Sequence, residues 1–152
     1  MSKFLFSLLF LFSTIVLNAQ SEKLVWEEWN SGYEKAIKQN KIILVDAYTE
    51  WCGWCKKMDK DTYANPEVIK KINQHFIAIK FNPEISFDGY KVGDQVVNNQ
   101  QLYGLLTQGK STGFPTTYYI TPSKNSLLID VGYKGPQDFL KVLDNAIEGA
   151  KK

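Results

Sequence analysis

Trp51-Cys52-Gly53-Trp54-Cys55-Lys56 is the stretch that decides the fold, and it holds both cysteines of the 152-residue chain. An apolar run over residues 42–48 precedes it, and the residues after Cys55 are charged and compatible with a helix. A Cys-x-x-Cys motif between a strand and a helix places its first sulfur at a helix N-terminus, where unpaired N–H groups favour thiolate over thiol. The spacing also lets the second thiol close a disulfide, so we interpret the pair as a redox couple.

Structural uses of the two cysteines are less well supported. A disulfide between residues so close in sequence closes a small loop and removes little entropy from the unfolded chain. A structural zinc site needs four ligands, and the chain offers one histidine, His75, besides the two sulfurs. We therefore predict no metal and no cofactor. A buried, inert cysteine pair is the alternative interpretation.

The N-terminal residues have the layout of a secretory signal peptide. Lys3 precedes an apolar stretch from Phe4 to Leu17, and Ala19 is a suitable last residue before a cleavage site. The stretch is short for a membrane span, which needs about 20 residues. We predict a signal peptide over residues 1–19, one domain over residues 20–152, and a periplasmic or extracellular location. The alternative is an uncleaved N-terminal anchor.

The charge pattern argues against nucleic acid as a partner. All 18 basic residues are lysines, and the formal net charge is only +2. Recognition of bases and phosphates draws heavily on arginine forks, which this chain does not have. The lysines after Cys55 alternate with Asp59 and Asp61, a pattern typical of a solvated helix face.

Hydrophobic periodicity predicts a single α/β domain. Strands are expected at residues 42–48, 76–81, 116–121 and 127–133, and helices at about 31–40, 56–64, 66–76, 93–106 and after Pro136. We expect Asn30 or Ser31 to cap the first helix and Asn65 to cap the third. The first two strands are separated by helices and should run parallel, whereas the last two should form an antiparallel hairpin. A mixed four-stranded sheet with helices on both faces satisfies this order.

This ordered set resembles the thioredoxin superfamily, specifically its secreted thioredoxin-like members. The resemblance covers about residues 41–150 and is interrupted around residues 83–100. It is carried by Ile43-Leu44-Val45-Asp46, by the Trp-Cys-Gly-x-Cys-Lys motif, and by Gly113-Phe114-Pro115-Thr116. It implies a thioredoxin-like fold and thiol–disulfide exchange with protein substrates.

The resemblance assigns Cys52 as the attacking thiolate and Cys55 as the resolving thiol. We expect Cys52 to be exposed at the start of the helix and Cys55 to be covered one turn further in. A thiol pKa lowered from about 8.5 to about 7 would leave about half of the first cysteine ionised at neutral pH.

Two charged residues in apolar strands are further candidates. Asp46 lies in an otherwise apolar strand, where burial is expected to raise the pKa of its carboxyl group. The resemblance implies that Asp46 takes and returns the proton of Cys55, and that Lys80 faces Asp46. The alternative is ordinary strand alternation, with both charged groups reaching solvent at the sheet edge.

The resemblance also places substrate-binding residues around the motif. Pro115 is expected to follow a cis peptide bond after Phe114 and to hold the backbone beside the sulfurs, where a substrate strand can pair. Trp51, Gly53 and Trp54 lie next to the cysteines. We expect the two indoles to form an exposed docking surface; the alternative is that Trp51 or Trp54 is partly buried in the core.

We therefore predict an exported, monomeric thiol–disulfide oxidoreductase that acts on proteins, as a reductase recharged by a membrane electron donor. Trp54 stands where the family most often has proline, so the redox potential cannot be taken from the family. The insertion at residues 83–100 either covers part of the active face or is passive. The alternative function is a non-catalytic thioredoxin-fold module that binds a partner protein or Cu(I), with Met58 beside the two cysteines.

Overall fold

Seven strands and five α-helices make up residues 22–151, the part of the chain that the computed structural model describes. The strands are β1 Trp26–Glu27, β2 Ile42–Ala47, β3 Phe76–Phe81, β4 Tyr90–Val92, β5 Gln95–Val97, β6 Thr116–Thr121 and β7 Ser126–Val131. The helices are α1 Trp29–Gln39, α2 Gly53–Asp61, α3 Pro66–His75, α4 Asn99–Thr107 and α5 Pro136–Lys151. The predicted signal peptide, residues 1–19, lies outside the described residues. Within them, no helix is both long enough and apolar enough to cross a membrane.

The main sheet has the strand order β1-β3-β2-β6-β7. Strand β3 runs parallel to both β1 and β2, while β6 is antiparallel to β2 and to β7. This confirms the α/β class and the mixed sheet with its parallel pair and its antiparallel hairpin. The edge strand β1 is an addition to the four predicted strands, because a pair of residues is too short to show a periodic pattern.

Helices cover both faces of this sheet, as predicted. All of β2 is buried, and its side chains alternate between two hydrophobic clusters. One cluster includes residues of α1 and α4, such as Ala36 and Leu102. The other includes residues of α2, α3 and α5, such as Met58 and Phe139. Asp46 falls in register with the β2 residues of this second cluster, so its carboxyl group points to the face that α2 covers.

The helix caps were predicted correctly at α3 and wrongly at α1. The side chain of Asn65 accepts hydrogen bonds from the N–H groups of Glu67 and Val68, at 3.0 and 3.3 Å. Helix α1 instead begins at Trp29 after Glu28, with no side-chain cap. Asn30 is unavailable for capping because its amide group binds the backbone of Gly89 and Lys91 in the insertion.

The insertion forms a short hairpin, β4–β5, where the sequence predicted a loop and then a helix from residue 93. Gly93 lies in the turn at a φ of +59°, a left-handed conformation that favours glycine. The helix starts only at Asn99, because the residues before it pair with β4 and Asn98 forms a capping box with Gln101. The hairpin is fixed to α1, where the indole N–H of Trp29 donates to the carbonyl of Lys91 at 2.8 Å.

Candidate active site

The redox motif occupies the turn from β2 into α2. Cys52 is the N-cap residue of α2, and its Sγ accepts a hydrogen bond from the backbone N–H of Cys55 at 3.0 Å. The N–H of Cys52 donates in turn to the carbonyl of Thr49 at 3.2 Å, which closes the turn. The two cysteines are joined as a disulfide. The first sulfur therefore lies where a helix N-terminus stabilises a thiolate, as predicted.

The predicted difference in exposure between the two cysteines is wrong for this oxidised form. Cys52 is 4% exposed and Cys55 is 3% exposed. The two sulfurs are bonded to each other, and the Cys55 N–H donates to the Cys52 sulfur at the first turn of the helix. The large apolar groups exposed at the motif are the two indoles, with Trp51 at 68% and Trp54 at 59%.

Trp51 is exposed and makes defined contacts, so the expectation of an exposed indole is correct and the alternative of a partly buried one is wrong. Its ring lies edge-on to Phe114 with 6.0 Å between centroids, and Phe114 stacks on Tyr103. Its indole N–H donates to the carboxylate of Glu84 at 2.9 Å. Glu84 belongs to the insertion, and its own N–H donates to the side chain of Asn82 at 2.9 Å. The insertion therefore reaches the redox motif through Glu84, a residue that the sequence analysis did not single out.

Trp54 and Gly53 lie in the first turn of α2. The Trp54 ring packs against Tyr133, in the loop after β7, with 5.4 Å between centroids. Gly53 is exposed, and a Cβ atom added there would meet nothing within 4 Å. A steric need for glycine therefore does not explain residue 53.

The proline loop lies beside the motif through Phe114. The peptide bond between Phe114 and Pro115 is cis, as the resemblance implied. The carbonyl of Pro115 accepts a hydrogen bond from the N–H of Gly132 at 2.8 Å. This bond ties the proline loop to the loop that carries Tyr133.

Asp46 is buried, with only 1% of its surface exposed. Its Oδ2 forms an ion pair with Lys80 Nζ at 2.8 Å, while its Oδ1 accepts no hydrogen bond from the described residues. Burial raises the pKa of Asp46, and the charge of Lys80 offsets this only in part. The alternative in which Asp46 reaches solvent at the sheet edge is therefore wrong.

Lys80 bridges the buried carboxylate of Asp46 to the carboxylate of Asp59. Its Nζ lies 2.5 Å from Asp59 Oδ1 as well as near Asp46. Burial alone would lower the pKa of Lys80, but the two carboxylates outweigh this effect and raise it, so Lys80 stays charged. Three aromatic rings surround the ammonium group, those of Trp26 and Tyr48 at 4.9 Å and that of Tyr63 at 5.6 Å.

Asp59 was missed by the sequence analysis. The alternation of lysine and aspartate after Cys55 predicted a solvated face, and the Asp59 side chain is indeed 46% exposed. Its partner, however, comes from β3 rather than from α2. A cavity of about 640 Å³ adjoins Asp59, Tyr63 and Lys80, so the outer end of this charged group faces solvent.

The geometry gives no support to a copper site that includes Met58. Met58 is 1% exposed and belongs to the core cluster that contains Phe139 and Leu143. Among residues 22–151, no group of three or more His, Cys, Asp or Glu side chains is arranged to hold a metal ion. His75 is the last residue of α3, an ordinary boundary position.

Comparison with known proteins gives a family match over most of the chain. The profile of the family Thioredox_DsbH, described as "Protein of unknown function, DUF255", matches residues 7–145. Protein disulfide-isomerase 5-2 of Arabidopsis thaliana is 29% identical over 106 residues, which are 69% of this chain and 22% of that protein. The chain spans 11–22% of the length of the curated relatives it matches.

Solved structures agree on the fold. A DsbH oxidoreductase superposes with a TM-score of 0.62 at 21% identity, covering 84% of this chain and 87% of that one. A thioredoxin from Thermus thermophilus superposes with a TM-score of 0.66 at 16% identity, covering 85% and 91%. At such identities the likeness establishes a thioredoxin-like fold.

Proposed function

The chain belongs to the Thioredox_DsbH family of thioredoxin-like proteins, and on this premise we propose that it is an exported thiol–disulfide reductase of protein substrates. The observation that carries the proposal is the position of Cys52, whose Sγ caps α2 and accepts the N–H of Cys55. A helix N-terminus with a direct N–H bond stabilises a thiolate, and the thiolate is the attacking form of cysteine.

In the proposed reaction, the Cys52 thiolate of the reduced protein attacks a substrate disulfide. A mixed disulfide forms with Cys52, and the first substrate sulfur leaves as a thiolate. Cys55 then loses its proton and attacks the Cys52 sulfur, which releases the second substrate thiol. The protein ends with the Cys52–Cys55 disulfide that the structure holds, and the substrate has gained two electrons and two protons.

We assign the proton of Cys55 to Asp46. Burial raises the pKa of the Asp46 carboxyl group, which increases its affinity for a proton and suits it to an acid–base role in exchange chemistry. Lys80 limits the rise of this pKa through its ion pair. Trp51, Gly53, Trp54, Phe114 and Pro115 are assigned to substrate contact.

The direction of the reaction, the location and the partners complete the proposal. The Trp-Cys-Gly opening, Lys56 and the match at Asp46 favour a reductase over an oxidase. A reductase in an oxidising compartment has to be recharged, and we assign this step to a membrane electron donor. The protein is proposed to act as a monomer in the periplasm or outside the cell after removal of residues 1–19.

A disulfide-reduction assay tests the activity. The purified protein is expected to reduce a protein disulfide with dithiothreitol as the electron source, and Cys52→Ser is expected to abolish this. Cys55→Ser should accumulate the mixed disulfide, visible as a band that disappears on reduction. Equal rates for the wild type and Cys52→Ser would reject catalysis and leave the non-catalytic binding module.

Two further measurements test the proposed direction of the reaction and the proposed export of the protein. The reduction potential of the Cys52–Cys55 couple, equilibrated with glutathione, is expected to be that of a reductant. A strongly oxidising couple would reverse the proposed direction. The N-terminal sequence of the protein recovered from the cell envelope is expected to begin at residue 20 if export and cleavage occur as proposed.

A further inference from the structure

A second aromatic pair, Trp54 and Tyr133, lies beside the redox motif, and Tyr133 has no role in the reaction derived above. Trp54 stands between the two cysteines and is 59% exposed, whereas the cysteines themselves are almost fully buried. Its ring packs against the half-buried Tyr133. With Lys57 and Asp61, which contact Tyr133, these residues form what we call the Trp54 surface.

Tyr133 is held in place from two sides. Its hydroxyl donates to Asp61 Oδ2 at 3.3 Å, and the Lys57 ammonium lies 5.4 Å from the centre of its ring. The loop that carries Tyr133 is fixed to α2, where the Thr62 hydroxyl donates to the carbonyl of Lys134 at 2.6 Å. It is also fixed to the proline loop through Gly132. The ring against which Trp54 packs is therefore a fixed support.

The charges of the Trp54 surface cancel each other. Lys57 Nζ and Asp61 Oδ2 are 2.5 Å apart. Their hydrogen bond raises the pKa of Lys57 and lowers that of Asp61, so both remain charged over the neutral range. What the surface offers a ligand is thus the exposed Trp54 ring, supported by Tyr133, beside a charge pair without net charge. Such a surface favours an apolar side chain over a charged one.

We propose that the Trp54 surface selects the substrate: a polypeptide disulfide in which an apolar or aromatic side chain neighbours the half-cystine that Cys52 attacks. Trp54 is the specificity residue and Tyr133 is a positioning residue that acts through it. The inference rests on the proposed function. Trp54 is only two residues from Cys52 in the chain and is exposed where the cysteines are buried, so the inference takes its indole as the contact for the residue next to the substrate half-cystine.

The experiment measures a ratio of rates. The reduced protein, with both thiols free, is mixed with either of two synthetic peptides, each holding one disulfide. The peptides differ only in the residue next to the half-cystine, Phe or Ala, and glutathione disulfide serves as a small reference. In each reaction Cys52 and Cys55 lose two electrons and two protons as their disulfide forms, and the peptide becomes a dithiol.

The expected result is a preference of the wild type for the Phe peptide by about three- to tenfold, the range of one aromatic contact. Trp54→Ala and Tyr133→Ala should bring the ratio close to one, while Tyr133→Phe, which keeps the ring, should retain most of it. Both peptides carry the same disulfide, so a changed reactivity of Cys52 scales both rates and leaves the ratio unaltered. Because the surface has no net charge, the ratio should also persist in about 0.5 M salt.

Tyr90→Ala is the matched control, since Tyr90 is a half-buried tyrosine of the insertion hairpin. It should leave the ratio as in the wild type. If glutathione disulfide is reduced but the wild-type ratio is near one, or the Trp54→Ala ratio equals that of the wild type, the inference is overturned and the proposed function is not. Failure of the wild type to reduce any of the three disulfides would overturn the proposed function and this inference with it.

Discussion

Replacing Lys80 with methionine removes the cation that contacts the buried carboxylate of Asp46. Methionine has a similar length and no charge, so the change tests the ion pair rather than the volume of the side chain. In the wild type, Lys80 Nζ lies 2.8 Å from Asp46 Oδ2, and Asp46 Oδ1 has no hydrogen-bond partner among the described residues. The variant would leave Asp46 as an uncompensated buried acid.

The expected loss of stability has two parts. Removing one partner of a buried ion pair costs about 3–5 kcal/mol, and the low end applies because the Lys80 side chain is 22% exposed. Of this loss, about 1 kcal/mol comes from the contacts of the ammonium with its aromatic neighbours and is independent of pH. The remaining part, about 2 kcal/mol, requires an ionised Asp46 and therefore depends on pH.

The sign of the pH dependence follows from the raised pKa of Asp46. A group whose pKa is higher in the folded state binds its proton more tightly there. Its contribution to stability is complete below the unfolded pKa of 3.8 and is lost as the pH rises through the folded pKa. Lys80→Met raises the folded pKa further, so the variant should lose about 1 kcal/mol near pH 4 and about 3 kcal/mol near pH 8.

Urea unfolding of the oxidised protein at these two pH values measures both parts. The double variant Asp46→Asn/Lys80→Met should recover the pH-dependent part, because no buried carboxylate remains. Lys57→Met serves as the control, since Lys57 pairs with Asp61 at the surface. Both pH values lie above the lowered pKa of Asp61, so the control should lose the same stability at each. If Lys80→Met loses the same stability at both pH values, or if the double variant recovers nothing, the reasoning about the ion pair is wrong.

Three further variants have defined outcomes. Asp59→Asn removes a negative charge that raises the pKa of Asp46, so the pH profile of mixed-disulfide resolution should move to lower pH in stopped-flow measurements. An unmoved profile, or an equal shift in Asp61→Asn, would contradict this. Because Met58 is buried in the core, Met58→Ala should destabilise the protein by about 2–5 kcal/mol in urea unfolding, and Met58→Leu by less than about 1.5 kcal/mol. A small loss in Met58→Ala would mean that this side chain is not a packed core residue. Asn65→Ala should cost about 1 kcal/mol through loss of the α3 cap, measured in the same way, and an unchanged unfolding midpoint would mean that the cap does not contribute.

The sequence predicted the central sheet well because its signals are local. Each core strand is a run of apolar residues long enough to be recognised, and the Asn65-Pro66 pair marks the start of α3 by known capping chemistry. The insertion was predicted less well, because its apolar residues belong to short strands although their spacing also fits a helix. Val96 and Val97 fit a helix pattern, but they pair across the hairpin with Lys91 and Tyr90. Short strands are indistinguishable from helix segments by periodicity alone.

The candidate site was predicted where single residues carry the signal and missed where the signal is a contact. A carboxylate in an apolar strand identifies Asp46 directly. Nothing in the local sequence links Asp59 to Lys80 or Glu84 to Trp51, since each pair joins different elements of the fold. The prediction that Cys52 is exposed was wrong as well. Its sulfur is bonded to Cys55 and accepts the N–H of Cys55, and the local sequence pattern does not show these contacts.

Helix α2 connects the buried and the exposed parts of the site. Residues two positions apart on a helix lie on nearly opposite faces, because each residue turns the chain by about 100°. Asp59 accordingly pairs with Lys80, and Asp61 accepts a hydrogen bond from the Tyr133 hydroxyl at the surface. Substitutions at the two acids should therefore have separable effects. A change at Asp59 alters proton affinity for every substrate alike, whereas a change at Asp61 loosens Tyr133 and alters the choice among substrates.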